Sequence, residues 1–321
     1  MVKEHIELQK KFIQRMKIEN NMKKLVNEIT MENVNGFKIV KDQEYGYRHI
    51  HPIPSEEELD KIYKEEYYSL EKPDYTKRMT EDVEWWNSTY RDRFDTFEEL
   101  LPKSKRKILD VGSGPGFFLK HGKDRGWETK GIEPSRQAAK HSRDILGLDI
   151  TEEFLSNDNK LSFGKHDLIN MSLVLEHIPN PKQILRIAYD LLDENGLVCI
   201  VVPNDFNPFQ QALVKACDFK PWWLSPPHHI NYFDFESLSK LLVGSGFEVV
   251  FKEATFPIDL FLLMGDNYVG NDTVGHECHK RRMSFENNMN KAGLNKIKRE
   301  LYVKFAELGM GREIFIIGRK I

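Results

Sequence analysis

Little in this chain suggests covalent cross-linking, a membrane or a polyanionic partner. It has three cysteines, Cys199, Cys217 and Cys278, too few for a disulfide framework, and such cysteine usage suits a reducing cytoplasm. No uncharged run approaches the roughly 18 residues that span a bilayer. The opening "MVKEHIELQKKF" lacks the apolar centre of a secretory leader. Charge of one sign is missing as well. Its 47 basic and 50 acidic side chains leave a formal net charge of -3, so neither nucleic acid nor an anionic membrane is an expected partner. Internal repeats and low-complexity tracts are absent.

What remains is an ordinary globular composition, 40% hydrophobic and 30% charged, over 321 residues, enough for one large domain or two modest ones. Residues 1–104 read as a mainly helical cap. A helix is predicted over 3–31, with Ile6, Ile13, Met16 and Leu25 among its apolar positions. "NVNGFKIV" places an Asn-Gly turn before a short strand. Pro54 then breaks the chain, and Ser55 with Glu58 form a capping-box pair that opens a helix carrying Tyr63, Tyr67 and Tyr68. One of these rings, Tyr68 first, is expected at the cofactor or its acceptor. In the next helix Trp86, Tyr90, Phe94 and Phe97 recur at spacings of four, four and three, a stripe read as core packing.

From residue 106 the pattern changes. "RKILDV", "WETKGIE", "LDIT", "HDLINMSLV", "LVCIVVPN" and "FEVVFKEAT" read as strands separated by helices, and "REIFIIGRK" as a closing seventh strand. Such alternation makes the fold class α/β, a doubly wound parallel sheet. Insertions are expected at about 205–227 and 256–310, the second helical and lying ahead of the last strand.

The first strand ends in "ILDVGSGPGFF". Gly112, Gly114 and Gly116 remove Cβ atoms where a backbone meets a ligand closely. Phe117 stands where a dinucleotide fingerprint wants its third glycine, and no Gly-Lys-Ser/Thr follows, which excludes a P-loop. Glu133, ending the second strand in "KGIEPS", is placed to accept hydrogen bonds from both hydroxyls of an unphosphorylated ribose.

"ILDVGSGPGFFLK", "GIEPS", "HDLINMSLVLEHIPNP" and "LLDENGLVCIVVPN", in that order, resemble the class I S-adenosylmethionine-dependent methyltransferases. The similarity is greatest to the subgroup with an acid–histidine–x–x–proline loop after the fourth strand, which includes quinone-type and small-molecule methyltransferases. It covers about 105–255 and the final strand. The resemblance implies a seven-stranded Rossmann-like sheet, six strands parallel and the last antiparallel, with S-adenosyl-L-methionine across the strands' C-terminal ends. It implies that Asp110 holds the glycine turn and the cofactor's amino group. Gly112, Ser113, Gly114 and Gly116 would then cradle the methionine portion, and Glu133 would bind the ribose. Ile132, Pro134 and Phe154 would lie beside the nucleoside, and Met171 and Ser172 beneath the sulfonium. Pro115 departs from the usual pattern and removes one backbone donor.

The acceptor side is less defined. A neutral nucleophile needs a proton acceptor, and His177, His228 and His229 are the candidates. Trp222 and Trp223 could wall an apolar substrate, and Arg281 and Arg282 could grip an anionic one. In related quinone methyltransferases the acid–histidine pair, here Glu176 and His177, has been linked to a divalent metal. Two adjacent ligands make a poor site unaided, so no metal is expected. The expected activity is methyl transfer to a small-molecule or sugar-containing acceptor, on oxygen, nitrogen or carbon. The alternative is a regulatory protein that binds the cofactor without turnover. The apolar stretch within 256–310 equally suits a homodimer interface.

Overall fold

The computed structural model describes residues 33–61 and 75–321. The helix expected over 3–31 and the segment carrying Tyr63, Tyr67 and Tyr68 lie outside them. Asn35 and Gly36 take positive φ angles of 52° and 86°, closing the expected tight turn between Val34 and Phe37. Strand β1 (Lys38–Lys41) follows and pairs antiparallel with β2 (Arg48–His51). The capping box is present, with Ser55 N–H donating to Glu58 Oε2 at 2.8 Å and Glu58 N–H to Ser55 Oγ at 3.3 Å.

The helix Val83–Leu100 leads into the main sheet. Its strands are β3 (Lys107–Val111), β4 (Glu128–Ile132), β5 (Asp149–Thr151), β6 (His166–Ser172) and β7 (Leu192–Pro203). After β8 (Asn231–Tyr232) come β9 (Phe247–Ala254) and β10 (Glu313–Lys320). The seven strands lie in the order β5-β4-β3-β6-β7-β10-β9, with β10 antiparallel to both neighbours. The α/β class and the doubly wound order are those expected. Helix Pro181–Leu191 ends ahead of the "DENG" segment, which belongs to β7. Asn195 there takes a φ of 58°, which ends any helical run.

Two layers follow from the period-two alternation of buried strands. Ile169, Met171, Ile200 and Val202 pack against the helices Pro181–Leu191 and Phe235–Gly244. Leu168, Cys199 and Val201 face the other way, onto Phe94, Phe97, Phe118 and Trp127. Phe94 and Phe97 are core residues as expected. Tyr90 belongs to the same core with Trp86 packed against it, and both also line a cavity.

The first hundred residues are not simply helical. β8, returning from the insertion after β7, adds to the β1–β2 hairpin as a third strand. Ile50 is fully buried there, beneath Phe206, Trp223, Leu224, Ile230 and Tyr232. A four-residue strand cannot bury its own apolar face, so a segment more than 150 positions away supplies the cover. The insertion 256–310 is helical, with Asp259–Leu263, Asp272–Lys291 and Asn295–Glu307. It is bolted to the helix Val83–Leu100 by buried polar groups. Glu286 accepts from Trp85 Nε1 and from Tyr302 OH, and Lys298 Nζ meets Asp92 at 3.0 Å. Among the described residues no helix is long and apolar enough to cross a membrane.

Candidate cofactor and acceptor site

A cavity of about 770 Å³ opens at the C-terminal ends of β3, β4 and β6, beneath the helix Val83–Leu100. This is the crevice that an open α/β sheet provides for ligands. The turn after β3 builds its floor. Gly112 N–H and Ser113 N–H both donate to the Ile132 carbonyl, at 2.8 and 3.1 Å, locking the turn to the end of β4. Gly112 has a φ of 72°, and a Cβ there would stand 2.5 Å from Val174 Cγ2. Only glycine fits.

Glu133 is buried, and its carboxylate accepts from Gly114 N–H and Ser135 N–H, each at 2.8 Å. Burial pushes its pKa up to about 7 against the opposing pull of those two amides. Asp110 behaves likewise. Burial raises it to about 7, although Asn170 Nδ2–H donates to it at 2.7 Å. Ser113 Oγ and Asn170 Oδ1 are buried without a hydrogen-bond partner among the described residues, and both residues line the cavity. Groups left open in this way fit a bound polar ligand. The donor set and the bare glycine backbone therefore fit the cofactor implied by the motif.

Asp110, Gly112, Ser113, Gly114, Ile132, Glu133, Pro134, Phe154, Ser172 and His177 all line this one cavity. Other expected residues do not. Gly116 starts the helix Phe117–Asp124 with a φ of 86°, and its missing Cβ makes room for Ser142 and Leu148, so its role is packing. Met171 is fully buried in the opposite layer, because side chains alternate along β6. That alternation shows which neighbour takes its place. If Ser172 faces the cavity so does Asn170, a residue the motif reading passed over.

Of the three histidines, His177 alone is on the cavity wall, in a single 3-10 turn Leu175–His177. His228 serves it through the backbone, its carbonyl accepting from His177 Nδ1–H at 2.6 Å. His229 packs its ring at 79° to that of His177, with centroids 5.0 Å apart. Glu176, His177 and His229 bring ligating atoms within 4.8 Å of one another. The fold thus adds a third candidate metal ligand to the adjacent pair seen in sequence, where no metal was expected.

Trp222 and Trp223 are not on the cavity wall. They stack edge to face at 5.0 Å, and Trp223 is buried against Phe206 in the core under the small sheet. Arg281 and Arg282 are also elsewhere. Arg281 pairs with Asp266 at 2.7 Å and lies over Phe261, while Arg282 lies over Trp85. The insertion holds them in its own packing against the helix Val83–Leu100, so they grip no acceptor in this cavity. The cation that does line it is Arg93, the one arginine or lysine on its wall among the described residues. Arg93 is buried and donates to Ser172 Oγ at 3.2 Å. It sits between the core residues Tyr90 and Phe94 of an apolar helix stripe, so periodicity gave no sign of it. Tyr68 falls outside the described residues.

A family model described as a methyltransferase domain matches residues 83–251, just over half of the chain. The chain belongs to the class I S-adenosylmethionine-dependent methyltransferase family. The match begins at the helix Val83–Leu100, ahead of the boundary expected near residue 105. A ubiquinone biosynthesis O-methyltransferase of Glaesserella parasuis is 32% identical over 146 residues, covering 43% of this chain and 61% of that protein. A protein of the same description from Pasteurella multocida is 33% identical over 108 residues, 29% of this chain and 44% of that one. The chain thus spans about half the length of the curated relatives it matches. A solved S-adenosylmethionine-dependent methyltransferase from Archaeoglobus fulgidus superposes with a TM-score of 0.47 at 19% identity, covering 74% of this chain and 94% of that one. A likeness that loose adds no weight.

Proposed function

We propose that this methyltransferase moves a methyl group from S-adenosylmethionine to an oxygen of a small-molecule acceptor, with His177 taking the proton. The observation that carries this reading is the convergence of the glycine turn, Glu133 and His177 on one cavity. Its volume is in the range of small-molecule sites. The oxygen is favoured by the printed names of the curated relatives, which are O-methyltransferases.

The bound cofactor supplies an electrophilic methyl group on a sulfonium centre. The chain's own residues position and deprotonate. Glu133 and the Gly112–Gly114 backbone hold the nucleoside and methionine portions, and Arg93 supplies the positive charge that the cofactor's carboxylate needs in a buried wall. His177 is buried, which pushes its pKa down to about 4 and keeps the ring neutral near pH 7. With Nδ1–H given to the His228 carbonyl, Nε2 carries the lone pair that can accept a proton. Trp86, Tyr90, Phe118 and Ile184 give the wall an apolar stretch, which limits water at an in-line displacement.

Calorimetry on the full chain tests the reading. S-adenosylmethionine should bind in the micromolar range and NAD should not bind. Absence of S-adenosylmethionine binding, or binding with no methylated product from any phenolic or hydroxylated acceptor tried, overturns it.

A further inference from the structure

Among the described residues four carboxyl side chains line the cavity, those of Asp110, Glu133, Glu153 and Glu313. Three are engaged. Asp110 accepts from Asn170 Nδ2–H, and Glu133 from the amides of Gly114 and Ser135. Glu153 accepts from Asn159 Nδ2–H at 2.8 Å. The fourth, Glu313, is half-buried, and its carboxylate has neither a hydrogen bond nor an ion pair among the described residues. Its chain neighbour Arg312 answers first to Asp259 and Asp205, and makes no ion pair with Glu313. A carboxylate in a cavity wall without a partner is a group waiting for one.

Strand register fixes where Glu313 stands. Ser172 of β6 lies beside Val201 of β7, and Val201 beside Phe315 of β10. Side chains two apart on a strand share a face, so Glu313 is on the face of Phe315, over whose ring Arg93 lies. Because β10 runs against β7, Glu313 is opposite Pro203, two residues beyond Val201 toward the crevice. Its backbone is held there. The Glu313 N–H donates to Thr255 Oγ1 at 3.0 Å, and its carbonyl accepts from Thr255 N–H at 3.1 Å. In the sheet β10 is four strand spacings from β4, roughly 19 Å, so Glu313 and Glu133 stand at opposite ends of one cavity. The ribose belongs to the Glu133 end, which leaves Glu313 to the acceptor.

The acceptor's chemistry follows from what such a group can meet. An apolar end would cover the carboxylate and give it no partner. An anionic end would be repelled by it. A neutral hydroxyl offers one hydrogen bond, whereas a cationic amine offers charge and several donors together. We propose that Glu313 is an acceptor-binding residue, and that the acceptor carries a cationic amine in addition to the hydroxyl that is methylated. The inference rests on the methyltransferase reading and narrows its acceptor.

The test titrates the full chain, saturated with S-adenosylhomocysteine, with phenols of similar size that differ only at the end of a short side chain. Tyramine ends in an ammonium, tyrosol in a hydroxyl, para-propylphenol in a methyl and phloretate in a carboxylate. Tyramine should bind about tenfold tighter than para-propylphenol, and Glu313→Gln should remove most of that preference. Glu313→Lys should turn the order round to favour phloretate. S-adenosylhomocysteine affinity should stay within about twofold in the Gln variant, because the change is at the far end of the cavity. Tyramine no better than para-propylphenol or tyrosol, no binding by any of the phenols, or a preference kept by the Gln variant would each overturn the proposal. So would a large loss of S-adenosylhomocysteine affinity in that variant, which would put Glu313 with the cofactor. Should neither variant fold, the series on the unaltered chain decides. Tyramine first and phloretate last supports the proposal, and any other order overturns it. Failure of the unaltered chain to bind S-adenosylhomocysteine would overturn the methyltransferase reading, a separate result.

Discussion

His177 and His228 are joined by one short contact, the Nδ1–H of the first donating to the carbonyl oxygen of the second at 2.6 Å. A carbonyl can only accept, so the proton of the neutral ring is on Nδ1 and the lone pair on Nε2. The loop from Asn204 to Ile230 therefore sets the tautomer of a residue that precedes it by nearly thirty positions.

The first prediction concerns that ring. His177→Ala should lower kcat by about 100- to 10,000-fold while cofactor affinity moves little, the range for loss of a positioned base. Burial holds the pKa near 4, so His177 adds no acidic limb near pH 6.5, and the kcat profile should stay flat down to about pH 5. The same shift has a sign in stability. A folded pKa below the ordinary value makes the contribution full above about pH 6.5 and lost as the pH falls through about 4. Urea melts of the native chain and the alanine variant between pH 4 and 8 would show it, and parallel curves would remove the argument.

Glu133→Gln keeps one acceptor for Gly114 N–H or Ser135 N–H but loses the charge that a ribose hydroxyl would meet. Cofactor binding should weaken by about 1.5–3 kcal/mol, the scale for charge-assisted hydrogen bonds. Unchanged affinity by calorimetry would take Glu133 out of the ribose site.

Arg93→Gln should separate two ligands. S-adenosylhomocysteine, which carries a carboxylate, should bind about tenfold more weakly, while adenosine, which lacks one, should bind as before. Equal losses for both would mean that Arg93 shapes the cavity instead of pairing with the carboxylate.

Gly112→Ala sets a Cβ 2.5 Å from Val174 Cγ2 at a φ of 72°. Stability should fall by about 1–3 kcal/mol. Adding Val174→Ala should recover the part due to the clash and leave the part due to the backbone. A double variant no better than the single one would assign the whole effect to the dihedral angle.

The glycine turn and the acid that line the candidate cofactor cavity were legible in the sequence because their determinants are local. A strand, a glycine turn and an acid at the end of the next strand, in "ILDVGSGPGFF" and "GIEPS", lie within about 25 residues of each other. Period-two alternation and glycine φ angles then fix what each residue can face. The acceptor half was not legible, and the expectations for Trp222, Trp223, Arg281 and Arg282 went astray for one reason. An aromatic pair or a charged pair in an insertion carries no mark of the surface it will meet. Tertiary packing placed the tryptophans in the cluster around Ile50 and the arginines over Phe261 and Trp85. Packing likewise brought Arg93, from a helix stripe read as plain core, to Ser172, and carried His229 to within ring contact of His177. Sequence determines what can be decided over a few turns of chain. Which distant side chains share one wall depends on how whole elements bury their apolar faces, and that was settled only by the fold.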